Sequence, residues 1–265
     1  MSLAAFAEQG SGNTAVLLLH GIGGGAAIWS DAASGTAQAI AEAGYRAIAV
    51  DLPGYGASAA MGVPDLEAMV EAVRALIGHL GAARTVLLGH SMGGMVAQEC
   101  AARAVPGIDG LVLACTSAAF GKAEGAWQAQ FLAERLAPLE AGLGMAAMAA
   151  RLVPGLVSPL APKVVVQIAT EVMAAVPEAT YRGALRAIAG FDRRAALQAI
   201  TVPTLLLAAE HDLTAPPEVM QRLAARIPAA EYVCLSGAGH IANVEQPAAF
   251  NAAVVSFLQR HFPAP

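Results

Sequence analysis

The sequence predicts an α/β protein in which helices cover both faces of a mostly parallel central sheet. Short runs rich in Val, Ile and Leu recur along the 265-residue chain, and most are separated by segments with helical periodicity. These runs lie at residues 15–19, 46–50, 85–89, 110–115, 202–208 and 231–235. Apolar runs without polar alternation are typical of strands buried on both faces, as in a parallel sheet between helices.

The helices between these strands have recognisable start and stop signals. From Asp65 to Gly81, apolar residues recur every three or four positions, with Asp65 placed to cap the first turn and Gly81 to end the last. The segment that ends at Gly44 and the one from Pro247 to Phe262 follow the same pattern. We therefore expect amphipathic helices that pack on the sheet.

A long insertion interrupts this alternation between residues 120 and 190. The segment is rich in Ala and Met, is punctuated by proline, and has helical periodicity. Its one strand-like run, at residues 163–168, lies inside a longer helical window. We therefore predict a core made of residues 1–119 and 191–265, with residues 120–190 forming an inserted helical cap.

Composition and charge argue against several classes of function. A net charge of -5 without a Lys/Arg cluster is not typical of a nucleic-acid-binding protein. The most apolar stretch, residues 143–176, is broken by Arg, Pro and Lys, so we predict no membrane-spanning helix. The N-terminus lacks the basic region of a secretory signal, and the odd number of cysteines argues against a disulfide framework. We expect a cytoplasmic protein.

The pentapeptide from Gly89 to Gly93 has the Gly-x-Ser-x-Gly pattern of a nucleophilic serine. It follows a strand-like run and leads into a helical segment, which is the context that such a serine requires. The tight turn exposes the hydroxyl of Ser91, and Gly89 and Gly93 leave room because a β-carbon there would clash with the neighbouring strand and helix. We predict that Ser91 is a nucleophile.

A serine nucleophile needs a general base, and the base needs an acid that fixes its tautomer. Asp212 lies in a loop after the run at residues 202–208, and His240 lies in a glycine-rich loop after the run at residues 231–235. The order Ser, Asp, His along the chain is the one found with this type of serine turn. We predict that Asp212 orients His240, which in turn activates Ser91.

Other residues compete for these roles. Glu210 lies two residues before Asp212, and an acid could also follow the strand that ends at Cys115, but no carboxylate follows that strand closely. His211 is a rival base, although it is more typical of a solvated loop residue. Asp51 ends a strand, and we interpret it as bracing turns near the site.

The oxyanion of a tetrahedral intermediate requires a pair of hydrogen-bond donors. The backbone amide of Met92, directly after the serine, is one candidate. The amide of Ile22 is the other, and it lies in a glycine cluster that begins at His20-Gly21 and follows the first apolar run. Glycines there leave the backbone free to approach a substrate.

These motifs resemble the α/β-hydrolase fold superfamily over nearly the whole chain. The matching residues are His20-Gly21, Asp51-Leu-Pro-Gly-Tyr-Gly-Ala-Ser58, the turn at Ser91, Asp212 and Gly239-His240. Three further stretches look most like the 3-oxoadipate enol-lactonase group, namely residues 111–119, 212–217 and 239–247. The superfamily usually places a two-stranded hairpin before the first parallel strand, whereas only residues 1–13 are available here, so we expect a sheet that is one strand short.

The resemblance implies a serine hydrolase that cleaves a small-molecule ester or lactone, with no metal and no organic cofactor, in aromatic catabolism. Two alternatives remain open. Hydrolases of carbon–carbon bonds in ring-cleavage products use the same triad, but they usually have other residues where this chain has His90 and Leu213. A receptor-like relative that keeps the fold and mainly binds ligand is the second alternative.

Two residues of the predicted cap are candidates for a substrate pocket. Trp127 is an aromatic residue that could line the pocket, although tryptophan more often serves in packing. Arg135 lies two helical turns after Gln128 and could pair with a substrate carboxylate, although a solvated helix face is commoner. The resemblance is not close enough in the cap to transfer substrate-binding residues.

Overall fold

The computed structural model describes residues 3–30, 32–60, 65–120 and 126–264, and it leaves the side chains of residues 126 and 127 undescribed. Within these ranges the strands are β1 (Phe6–Gln9), β2 (Thr14–Leu19), β3 (Arg46–Val50), β4 (Arg84–His90), β5 (Gly110–Ala114), β6 (Thr204–Ala209) and β7 (Glu231–Leu235). They form one seven-stranded sheet in the order β1-β3-β2-β4-β5-β6-β7.

The six runs predicted as strands form β2 to β7, which pair in parallel, so the predicted α/β class is confirmed. β1 pairs with β3 in the antiparallel direction at the edge of the sheet. The sequence does not show this strand as an apolar run, because its four residues, Phe-Ala-Glu-Gln, are partly exposed. Residues 3–13 thus contribute one antiparallel strand rather than a hairpin.

Helices lie on both faces of the sheet. One face is covered by α1 (Thr36–Glu42) and α10 (Pro247–His261), and the other by α2 (Leu66–Leu80), α3 (Met92–Ala102) and α8 (Pro217–Ala224). Strand residues alternate between two apolar clusters, as Val16 and Leu18 pack on one face and Leu17 and Leu19 on the other. Because the strands are buried on both faces, they appear in the sequence as continuous apolar runs. None of the helices in the described ranges is long and apolar enough to span a bilayer.

Helix α2 has the bounds that its sequence predicts. The carboxylate of Asp65 accepts a hydrogen bond from the amide of Ala68 at 2.7 Å, which satisfies one free donor of the first turn. Gly81 ends the helix with a φ of +54°, in the left-handed region that glycine adopts readily. The helix therefore begins and ends on local signals.

Between β5 and β6 the chain forms α4 (Ala126–Glu140), α5 (Gly144–Leu152), α6 (Lys163–Ala174) and α7 (Glu178–Ala189). The strand-like run at residues 163–168 is helical, as interpreted from the sequence. The two ends of the insertion lie side by side, because Phe120 donates its amide to the carbonyl of Phe191 at 2.9 Å and Arg193 donates to Ala118 at 2.8 Å. The inserted segment thus begins and ends at neighbouring positions beside the sheet.

Candidate active site

Ser91 occupies the turn between β4 and α3 in a strained backbone conformation. Its φ is +53° and its ψ is -116°, in a region that residues other than glycine seldom adopt. Such a conformation costs about 1–3 kcal/mol and persists only where its surroundings hold it. Here the amide of Ser91 donates to the carbonyl of Ala114 at 2.9 Å, and the hydroxyl of Thr116 donates to the carbonyl of Ser91 at 2.8 Å.

The glycines on either side of the turn leave no room for a side chain. A β-carbon at Gly89 would lie 2.3 Å from the carbonyl oxygen of Gly93, and a β-carbon at Gly93 would lie 2.1 Å from the carbonyl oxygen of Leu19. Both distances are far below van der Waals contact. The turn can therefore pack against β2 and α3 only with glycine at these two positions.

His240 contacts both of the other residues of the predicted triad. Its Nε2 lies 3.0 Å from the hydroxyl of Ser91, and its Nδ1 lies 2.8 Å from Oδ2 of Asp212. Because a carboxylate can only accept, Nδ1 carries the proton and Nε2 keeps the lone pair that faces Ser91. The ring is thus in the tautomer that a general base needs.

Asp212 is held by its own loop as well as by His240. Its Oδ1 accepts hydrogen bonds from the amides of Thr214 and Ala215 at 2.7 and 2.9 Å. Burial opposes ionisation, but the attraction of His240 and these hydrogen bonds outweigh it, so the pKa of Asp212 lies below its ordinary value. The carboxylate is therefore ionised and fixed in orientation.

The rival residues take other roles. Glu210 accepts hydrogen bonds from the hydroxyl of Ser236 at 2.7 Å and the amide of Gly237 at 2.8 Å, and these bonds lower its pKa. It braces the start of the loop that bears His240. The amide of His211 donates to the carbonyl of Ala238, which ties the same two loops together.

His20 orients a peptide that borders the site. Its Nδ1 donates to the carbonyl of Gly21 at 2.8 Å, and its Nε2 accepts from the amide of Leu52 at 3.1 Å. The carbonyl of Gly21 also accepts from the amide of Gly24 at 2.9 Å. Because a peptide unit is planar, these bonds to the carbonyl of Gly21 fix the direction of the amide of Ile22. Burial lowers the pKa of His20 to about 4, so the ring is neutral at neutral pH.

Three further groups brace the loops around the serine. The Nε2 of His90 donates to the carbonyl of His240 at 2.7 Å, and burial followed by the nearby His240 lowers the pKa of His90 to about 4. The carboxylate of Asp51 accepts from the amides of Ala26 and Ala57 at 2.7 and 3.0 Å, as expected for a residue that braces turns. The hydroxyl of Tyr55 donates to the carbonyl of Ile22 at 3.1 Å.

A cavity of about 270 Å³ opens beside the serine. The core contributes Ser91, His240, Ile22 and Met92 to its wall, and the inserted helices contribute a mostly apolar surface. That surface includes Phe131, Val153, Leu156, Met173, Leu185 and Ile188. The site is therefore a largely apolar pocket between the sheet and the insertion.

Arg135 is the one permanently charged residue that the described part of the chain places in this wall, and it is half-buried there. Its guanidinium carbon lies 5.1 Å from the ring centroid of Phe131. The side chain of Trp127, the other pocket candidate from the sequence, lies outside the described residues.

The sequence alone does not reveal two residues that shape the site. Thr116 holds the carbonyl of Ser91, and Glu245 accepts hydrogen bonds from the loop that bears His240. Glu245 lies within residues 239–247, the stretch that resembles enol-lactonases, and this resemblance is the signal that could have singled it out.

Residues 14–247 match the family model described as the alpha/beta hydrolase fold, and the chain belongs to this family. The chain is 32% identical over 220 residues to 3-oxoadipate enol-lactonase 2 of Acinetobacter baylyi, an alignment that covers 82% of this chain and 79% of that protein. It is 34% identical to a protein of Variovorax paradoxus provisionally named carbamate hydrolase RutD, over 93% and 92% of the two chains.

Among solved structures, the enol-lactonase from Burkholderia xenovorans LB400 superposes with a TM-score of 0.85 at 27% identity, over 96% of each chain. The resemblance to the α/β-hydrolase superfamily and to its enol-lactonases is thus confirmed.

Proposed function

We propose that this protein is a serine hydrolase that cleaves a small-molecule ester or lactone through an acyl-enzyme. One observation carries the proposal. The imidazole of His240 lies within hydrogen-bond distance of the Ser91 hydroxyl on one side and of the Asp212 carboxylate on the other, at 3.0 and 2.8 Å. This is the arrangement that makes a serine hydroxyl a usable nucleophile at neutral pH.

In the proposed reaction, Nε2 of His240 takes the proton of Ser91 as the hydroxyl oxygen attacks the carbonyl carbon. The tetrahedral oxyanion collapses, His240 gives the proton to the leaving oxygen, and an ester of Ser91 remains. Water then loses a proton to His240 and attacks this ester. His240 gives that proton to the oxygen of Ser91 as the acyl–oxygen bond breaks, which releases the acid and restores both residues. Asp212 stays ionised throughout and stabilises the imidazolium that forms twice in the cycle.

The amides of Ile22 and Met92 are the proposed donors to the oxyanion, and both residues line the cavity beside Ser91. Met92 is the first residue of α3, so its amide is one of those that a helix start leaves free, and the helix dipole favours negative charge there. The direction of the Ile22 amide is set by the two hydrogen bonds to the carbonyl of Gly21. Donors fixed in advance in this way need no reorganisation as charge develops.

We propose that the inserted helices α4 to α7 act as a cap that selects the substrate. Their apolar surface faces the cavity, which suits a small apolar acyl or leaving group. Arg135 is the proposed partner of a substrate carboxylate, because it places a cation in a largely apolar wall. An enol-lactone or an ester with an anionic group is therefore the first choice of substrate.

A fluorophosphonate probe tests the nucleophile directly. We expect covalent labelling of Ser91, identified by mass spectrometry of the digested protein, together with turnover of p-nitrophenyl acetate. Ser91→Ala should lose both, and the exposed Ser236→Ala should keep both because its hydroxyl contacts Glu210 rather than His240. A wild-type protein that neither labels nor turns over ester would reject the proposal and favour a receptor-like role.

A substrate panel then separates the possible reactions. It contains 3-oxoadipate enol-lactone, neutral and anionic p-nitrophenyl esters, a carbamate, and a dienoate ring-cleavage product. Preference for the enol-lactone or an ester supports the proposal. Faster cleavage of the dienoate would instead assign a carbon–carbon bond hydrolase with the same triad.

A further inference from the structure

Glu245 is a buried acid that touches the loop bearing His240. It ends the short helix α9 (Ala242–Glu245) and is 7% exposed. Its Oε2 accepts hydrogen bonds from the amides of Ser158 and Gly239 at 2.7 and 2.9 Å, and its Oε1 accepts from the amide of Ile241 at 3.1 Å. Two of these donors flank His240 in the chain, and the third belongs to the inserted segment.

Backbone amides are the donors that compensate this buried carboxylate, since the described residues place no cation in ion-pair contact with it. A carboxylate removed from water is costly unless hydrogen bonds replace the lost hydration. The three amides therefore bind the carboxylate firmly, and the carboxylate in turn fixes the backbone on both sides of His240.

The insertion completes this arrangement. The amide of His240 itself donates to the carbonyl of Leu156 at 2.7 Å. A β-carbon at Gly239 would lie 2.4 Å from the backbone nitrogen of Ser158, so the two segments are in close contact. Three consecutive amides, from Gly239 to Ile241, are thus held by Glu245 and by residues 156–158.

His240 needs such support more than its partners do. Ser91 follows directly on β4, and Asp212 is anchored by two amides of its own loop. His240 lies five residues beyond the end of β7, in a loop, and its ring must reach Ser91 and Asp212 at the same time. A small shift of this backbone would lengthen both contacts.

We propose that Glu245 is a positioning residue that keeps the imidazole of His240 within hydrogen-bond distance of Ser91. We propose further that this position depends on the contact of the His240 loop with residues 156–158. The proposal rests on the proposed function of the triad. Because the carboxylate of Glu245 contacts backbone amides beside His240 and not the substrate, we expect it to affect the rate of the chemical steps and not the binding of a small ester.

The test compares Glu245→Ala, Glu245→Gln and wild type at a temperature where circular dichroism shows each to be folded. For p-nitrophenyl acetate we expect kcat of Glu245→Ala to fall about 10- to 100-fold, the range that a displaced catalytic group can produce, with KM changed less than about twofold. The rate constant of fluorophosphonate labelling at Ser91 should fall in parallel, while the final labelled fraction stays complete.

For Glu245→Gln we expect values of kcat and of the labelling rate constant between those of wild type and Glu245→Ala. Its amide oxygen can still accept from Ser158 and Gly239, whereas its NH₂ group would face the amide of Ile241, donor against donor. Glu231→Gln is the matched control, because this carboxylate is also held by polar side chains, those of Arg260 and His261, but lies at the start of β7, outside the loop that bears His240. We expect wild-type kcat and labelling rate in that control.

A purely structural role gives a different result. The labelled fraction would then fall as protein is lost, while the labelling rate constant and kcat per labelled site would stay at the wild-type value, and this outcome overturns the proposal. Because Glu245→Gln preserves shape and two acceptor contacts, it remains informative if Glu245→Ala does not fold. A wild-type protein that fails to label would instead overturn the proposed triad, and the role of Glu245 with it.

Discussion

Nδ1 of His240 lies 2.8 Å from Oδ2 of Asp212, and the other oxygen of this carboxylate is held by two backbone amides. The carboxylate therefore has one orientation and presents an acceptor to the ring. This contact decides which nitrogen of His240 faces Ser91, and so it decides whether the ring can act as a base.

Asp212→Asn should abolish most of the activity without unfolding the protein. The amide oxygen would keep the hydrogen bonds from Thr214 and Ala215, so the NH₂ group would face Nδ1 and drive the proton to Nε2. We expect kcat for p-nitrophenyl acetate to fall by about 10⁴-fold, as for other triads with the wrong tautomer. Unchanged circular dichroism would show that the fold remains. A loss smaller than tenfold would mean that Asp212 is not the orienting acid.

The stability of the protein should fall between pH 6.5 and pH 4 because of its buried neutral histidines. His90 has an ordinary pKa of 6.5 and a folded-state pKa of about 4, so in this window the unfolded chain binds a proton that the folded chain does not. The contribution of neutral His90 to the free energy of unfolding is fully present above pH 6.5 and is lost progressively down to pH 4. It amounts to about 3 kcal/mol.

His90→Gln tests this linkage, since glutamine can still donate to the carbonyl of His240 but does not titrate. Urea unfolding at several pH values should give a shallower pH dependence for the variant than for wild type across this window. Equal slopes would contradict a buried neutral His90.

His20→Ala should lower kcat while leaving KM nearly unchanged. The imidazole holds the carbonyl of Gly21, and its loss would free the peptide that carries the Ile22 amide. Removal of a whole oxyanion donor costs about 10²–10³-fold in kcat, so a loosened donor should cost less, about 10-fold or somewhat more. Steady-state kinetics with p-nitrophenyl acetate measure the split, and His79→Ala, on helix α2, is the control. A raised KM with normal kcat would assign His20 to substrate binding instead.

The parallel strands and the positions of the three residues of the proposed triad could be predicted from the sequence, because both depend on local signals. Buried strands leave continuous apolar runs, and the serine turn needs glycine at residues 89 and 93. The edge strand β1 could not be found in this way, since it is partly exposed and Glu8 pairs with Arg46 of β3. An edge strand that is half in water has no apolar pattern to recognise.

The part of the site formed by the inserted helices could not be predicted, for a different reason. The direction of Arg135 depends on how α4 packs on its neighbours, and helical spacing alone allows either a solvated or a pocket-facing position. The contact between Glu245 and Ser158 joins residues 87 positions apart, so no short motif contains it. Tertiary packing, and not local propensity, sets both of these features.

Arg135→Gln should lower kcat/KM for anionic substrates and leave kcat/KM for neutral substrates nearly unchanged. The guanidinium is half-buried in a largely apolar wall, where a hydrogen bond to a charged group contributes about 1.5–3 kcal/mol. We therefore expect kcat/KM for an ester or lactone that carries a carboxylate to fall about 10- to 100-fold. For p-nitrophenyl acetate, which has no carboxylate, kcat/KM should change less than about twofold.

The comparison of the two substrates separates recognition from folding. A misfolded insertion would reduce both activities together, whereas loss of a charge partner reduces only the activity toward the anionic substrate. Arg151→Gln, which removes an exposed cation from α5, controls for the general charge of the insertion and should leave both substrates unaffected. If Arg135→Gln changed kcat/KM equally for anionic and neutral esters, Arg135 would be a solvated residue of the helix face. The substrate carboxylate would then have to bind elsewhere in the cavity.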